Sequence, residues 1–128
     1  MKLAIFGENE QQAAHLKLGS DAEKIAEIFL QQKGLILVKR NFRCKHGEID
    51  LIMRDGKALV FIEVRLRSHG GYVGYGGAAM SINHAKQHKL TCTAEFYLQV
   101  NGSAECRFDA ILMQSADINA VEWIKNAF

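Results

Sequence analysis

Two β-forming runs, GEIDLIM (47–53) and ALVFIEVRL (58–66), are joined by Arg54-Asp55-Gly56-Lys57. Asp-Gly between two such runs is the strongest short-range signal for a β-hairpin. A two-residue turn at Asp55-Gly56 would set Arg54 opposite Lys57, Asp50 opposite Phe61 and Glu48 opposite Glu63. Side chains alternate between the faces of a strand. One face of this hairpin then carries Ile49, Leu51, Met53, Val60, Ile62, Val64 and Leu66, all apolar. The rest of the chain has to cover that face. The other face carries Glu48, Asp50, Ile52, Leu59, Phe61, Glu63 and Arg65, apolar near the turn and acidic further along.

The acidic end needs a counterpart. Directly opposed like charges destabilise a sheet. Three carboxylates on a half-buried face require a proton, a cation or an arginine among them. A hard divalent ion such as Mg²⁺ takes one or two carboxylates and keeps waters for substrate phosphate. Arg65 offers the other solution, a structural ion pair with Glu48 or Glu63 that leaves Asp50 solvated at a sheet edge. Spacing alone leaves both open.

The rest of the chain supplies the cover. Ser20-Asp21-Ala22-Glu23 reads as a capping box, and Ile25, Ile28 and Phe29 follow helical spacing up to Lys33 and the stop at Gly34. This predicts a helix over 21–33. LILVKRNFR (35–43) is a strand, 68–77 a glycine-rich loop, 78–100 a long helix and 105–113 a strand. The tail from Ile118 reads as a short strand or helix. Residues 1–18 carry mixed signals and read as an extension before a domain over 19–128. The order α-β-β-β-α-β predicts a single α/β domain, a mixed sheet flanked by helices.

A chain of 128 residues, 48% hydrophobic and 23% charged, has the balance of an ordinary globular domain. Cys44, Cys92 and Cys106 are isolated, so neither a disulfide framework nor a zinc knuckle is expected. No run approaches the roughly 18 apolar residues of a membrane span. The N-terminal apolar stretch is too short for a secretory signal. The expectation is a cytoplasmic protein with no membrane partner. From Lys33 to Lys89 there are eleven Lys/Arg against four Asp/Glu, a charge of +7, while the remainder carries −5. A basic middle points to a polyanion partner or to an ordinary solvated surface.

Other motifs are weaker. The loop 70–77 matches neither a phosphate-binding G-x-x-x-x-G-K-[ST] nor G-x-G-x-x-G in register. Its Tyr72 and Tyr75 could stack on unpaired bases or pack on the sheet. His84 and His88, at i and i+4, lack a third ligand and read as part of a basic helix face.

GEIDLI (47–52) and FIEVR (61–65) resemble the active-site hairpin of the PD-(D/E)XK nucleases. More closely, the chain resembles the YraN-like family of small bacterial proteins, grouped with endonucleases related to archaeal Holliday-junction resolvases. Further matching stretches are the helix carrying Glu23, Asn41-Phe42-Arg43, Tyr75-Gly76-Gly77-Ala78-Ala79, Lys86-Gln87-His88-Lys89-Leu90, Arg107-Phe108-Asp109 and Asn126-Ala127-Phe128. The resemblance spans roughly Gly19 to the C-terminus and implies a PD-(D/E)XK nuclease-like, or restriction-endonuclease-like, fold. It implies Asp50 and Glu63 as ligands for Mg²⁺ or Mn²⁺, Glu23 as a helix-borne acid aimed at the site, and Glu48 as a carboxylate bracing the ligands. Gln87 would support the site, while Arg43, Lys86, Lys89 and Tyr75 would contact nucleic acid. Resolvases address two strands, so a homodimer is a further expectation. The chain departs from the motif at one point, with Arg65 in the lysine position. Arginine stays charged and cannot serve as a base. It can still bind a phosphate oxygen and stabilise developing charge. The first expectation is a metal-dependent DNA endonuclease. The alternatives are a catalytically inactive nucleic-acid-binding module on the same fold and a small protein-interaction domain.

Overall fold

The structure, a computed structural model, describes residues 18–66, 82–115 and 117–128. The expected N-terminal extension, apart from Leu18, lies outside the described residues. So do Tyr72, Tyr75 and the glycine-rich loop. Helix α1 spans Leu18–Gln32, and Ala22, Ala26 and Leu30 recur at i+4 spacing on its buried face. It begins ahead of Ser20, so that residue stands inside the helix and is not its cap. Gly34, at φ +100°, ends the helix and lets the Leu35 N–H return to the Leu30 carbonyl at 3.0 Å.

Strands β1 (Ile36–Cys44), β2 (Gly47–Asp55) and β3 (Ala58–Leu66) form an antiparallel meander. Helix α2 (His84–Asn101) then crosses over to β4 (Cys106–Met113), which pairs parallel to β3. A parallel pair needs such a crossover. A 3₁₀ turn (Ile118–Ala120) leads to β5 (Val121–Ile124), antiparallel to β4, so the tail supplies both of its expected conformations. The result is α/β, a five-stranded mixed sheet ordered β1-β2-β3-β4-β5 with two α-helices among the described residues. Helix α2 starts later than the expected residue 78. Asn83 caps it, its Oδ1 accepting the Lys86 backbone N–H at 2.8 Å.

The hairpin register differs from expectation. Asp55 pairs with Ala58 and Leu51 with Ile62, so the turn residues are Gly56 and Lys57. Gly56 adopts φ +63°, a conformation that glycine takes without steric penalty. Glu48 is therefore not set opposite Glu63. The slip preserves each residue's face. Leu51, Met53, Val60 and Ile62 pack with Ala22, Ala26 and Leu30 of α1. Ile52, Leu59 and Phe61 pack with Leu90 and Ala94 of α2.

Alternation breaks at one place. Ile49 joins the cluster under α2 although Leu51 and Met53 lie under α1. Phe42 of β1 also turns to the α2 side, whereas Arg40, two residues earlier, reaches Glu27 of α1. Between them Asn41 adopts φ +50°, a left-handed conformation that asparagine tolerates better than most residues. Both strands thus turn over around Asn41 and Asp50.

Candidate active site

The β2–β3 ladder stops at Leu51–Ile62. Beyond it, β2 continues alongside β1, and β3 alongside β4. The Val64 N–H donates to Asp50 Oδ2 at 2.8 Å, so a side chain takes the place of a ladder carbonyl. Strand divergence thus frees the space that a carboxylate occupies.

Glu23 of α1 reaches this point from one face, hydrogen-bonded to Asp50 and to the Asn41 side chain. Burial first, and then the charge of Asp50, push Glu23 up to about 7. The two shifts together favour a proton on the Glu23 side of this pair. Asp50 is itself raised by burial, against the lowering effect of the Val64 N–H. Glu63, 6% exposed, is raised by burial and by Asp50, while Lys86 and Arg65 oppose the shift. Lys86 Nζ lies 3.4 Å from Glu63 Oε2, and Arg65 Nε lies 3.9 Å from the same oxygen. Glu48 adds negative potential at both Glu23 and Asp50 and pairs with Arg43 at 3.3 Å.

Glu23, Asp50, Glu63, Arg65 and Lys86 are therefore gathered at one end of the hairpin, with Glu48 and Arg43 at its margin. Gln87 of the same helix donates its amide to the Ile82 carbonyl at 2.8 Å. Lys89 lies beside Gly47 at the start of β2. Tyr75 is outside the described residues.

Sequence reasoning missed two contributors. Asn41 binds Glu23, and in sequence it appears only within the matching stretch Asn41-Phe42-Arg43, with no role attached. Glu27, one helical turn after Glu23, is buried and held by Arg40 of β1 at 2.7 and 2.9 Å. That fork ties α1 to the sheet beside the acids.

The donor set suits a hard cation. Carboxylate oxygens are what Mg²⁺ and Mn²⁺ take, and carboxyls raised by burial and by one another's charge are relieved by positive charge. Among the described residues, no three His, Cys, Asp or Glu side chains are drawn close enough to form a cage by themselves.

Comparison with known proteins agrees with the resemblance in sequence. Residues 22–113 match the family model described as "Uncharacterised protein family UPF0102". A UPF0102 protein of Methylobacillus flagellatus is 54% identical over 88% of this chain and 96% of its own length. One from Nitrosomonas europaea is 55% identical over 86% of this chain and 92% of its own. One from Pseudomonas syringae is 42% identical over 92% and 98%. None of these names states an activity. With most of its length matched from α1 through β4, the chain belongs to the uncharacterised protein family UPF0102, the YraN family.

Proposed function

We propose that this protein is a metal-dependent endonuclease that hydrolyses phosphodiester bonds in DNA, with branched or otherwise structured DNA as its substrate. The observation that carries this reading is the convergence of Glu23, Asp50 and Glu63 where β2 and β3 part, each raised by burial. Asp50 and Glu63 would hold Mg²⁺ or Mn²⁺, which when bound supplies Lewis-acid stabilisation and acidifies water. Glu23 keeps a proton beside Asp50 near neutral pH and gives it up as positive charge arrives. Arg65 stays ionised and binds a non-bridging phosphate oxygen. Lys86 pairs with Glu63 at 3.4 Å in the free protein and would meet the phosphate once the carboxylate has another partner. The basic segment, including Arg43 and Lys89, supplies sequence-independent backbone contacts, so affinity falls with salt.

A second reading has an observation of its own. Glu63 is already flanked by two cations, Lys86 and Arg65, as a DNA-binding module without turnover would require. Four-way, flapped and linear DNA incubated with Mg²⁺ or Mn²⁺ separates the two. The endonuclease reading predicts nicking that Asp50→Asn and Glu63→Gln abolish. Salt-dependent binding with no nicking of any substrate would favour the inactive module.

A further inference from the structure

The β1–β2 turn sits beside the acids but takes no part in them. Arg43, Lys45 and His46 are all exposed there. The turn is held in place by close contacts. Gly47, at φ +151°, approaches α2 so tightly that a Cβ would meet Thr93 Oγ1 at 3.0 Å and Lys89 Cβ at 3.9 Å. Phe42 packs on Phe96 and Tyr97, and the His46 ring lies 6.1 Å from that of Phe96. Lys89, exposed, is three residues after Lys86 on α2, and residues at this spacing are neighbours on a helix surface. Positive charge thus runs from Lys86 at Glu63, through Lys89, to Lys45, with the His46 ring beside it. The strip also holds Glu63, paired with Lys86, and Glu48, paired with Arg43.

We infer that Lys45, His46 and Lys89 form a backbone clamp for duplex DNA, gripping phosphates to one side of the acidic site. The inference rests on the endonuclease reading for its choice of DNA, and on the geometry for its position. Asp50 and Gly47 are three strand residues apart, about 10 Å at 3.3 Å per residue. That is about three base pairs of duplex rise at 3.4 Å each. A rigid, anchored turn suits this role because little ordering is needed when the backbone arrives.

The test is anisotropy of a labelled DNA duplex in EDTA over a series of salt concentrations. Each phosphate contact contributes about 0.9 to the slope of log affinity against log salt. Lys45→Gln with Lys89→Gln should reduce that slope by about 2. Lys57→Gln, in the exposed turn at the far end of the hairpin, should leave it unchanged. An unchanged slope in the double variant, an equal loss in Lys57→Gln, or an equal affinity for duplex RNA would overturn the clamp. Binding in EDTA does not depend on turnover. Failure to nick DNA in Mg²⁺ would therefore sink the endonuclease reading while leaving the clamp result to stand on its own.

Discussion

Glu23 is the most direct reporter of the acidic site, because its proton is shared with Asp50. Its carboxyl lies near 7 in the folded protein and at the ordinary value of 4.5 unfolded. The folded state therefore binds more protons than the unfolded state between those values. The stability this group contributes is present below the unfolded value and is lost as pH rises through the folded one. Asp50 and Glu63, also raised, act in the same direction. The melting temperature of the metal-free protein should fall as pH rises from about 5 to about 8. Glu23→Gln should flatten that fall and raise the melting temperature at the alkaline end. Thermal melts of both proteins across the range check it, and an unchanged pH dependence would contradict the shared proton.

Asp109 makes a different residue-scale prediction. It is fully buried and accepts from Arg107, from Trp123 Nε1 at 2.9 Å and from the Asn126 N–H at 3.0 Å. Arg107 also holds Asp55 at 2.9 Å, linking the C-terminal segment to the hairpin turn. Asp109→Ala strands those donors and should cost about 3–5 kcal/mol in chemical denaturation. Arg107-Phe108-Asp109 was visible in sequence only as a matching stretch. Its role depends on Asp55 and Trp123, which are remote in sequence, and no local pattern brings them together.

At the level of elements, the hairpin was legible and its turn was not. Moving the turn from Asp55-Gly56 to Gly56-Lys57 changes which residues oppose each other by two positions. A displacement of two preserves alternation, so residues 51–53 and 59–62 keep their expected faces. The break at Asn41 and Asp50 was beyond a strict two-residue period, which is why Ile49 was read on the wrong side. The two turn glycines give a contrast. Gly56 has a positive φ and open space around it, so Gly56→Ala should cost about 1 kcal/mol from backbone strain alone. Gly47 has a positive φ and also presses on Thr93, so Gly47→Ala should cost more, about 2–4 kcal/mol. Denaturant titrations that rank the two in the opposite order would contradict the close packing of β2 on α2.

Among the described residues, one helix packs on each face of the sheet, and each helix delivers a charged side chain to the same end of the hairpin. Glu23 arrives from α1 and Lys86 from α2. The identities of the acids could be read from the hairpin because alternation is local. The resemblance in sequence implied Glu23 and Lys86 for this end, but the meeting with Asn41 and the Glu27–Arg40 fork was not legible, because it follows from how helices seat on a twisted sheet. Among the described residues no helix is long and apolar enough to cross a membrane.

The central claim is that the buried acids are a site for a divalent cation. The most direct measurement is calorimetric titration of Mn²⁺ into wild type, Asp50→Ala and Glu63→Ala, without DNA and then with a short duplex present. Saturable binding to wild type that both substitutions abolish is the predicted result, with or without the help of DNA phosphate. No saturable binding to wild type under either condition would contradict the claim and leave the acids as a proton-sharing cluster paired with Lys86 and Arg65.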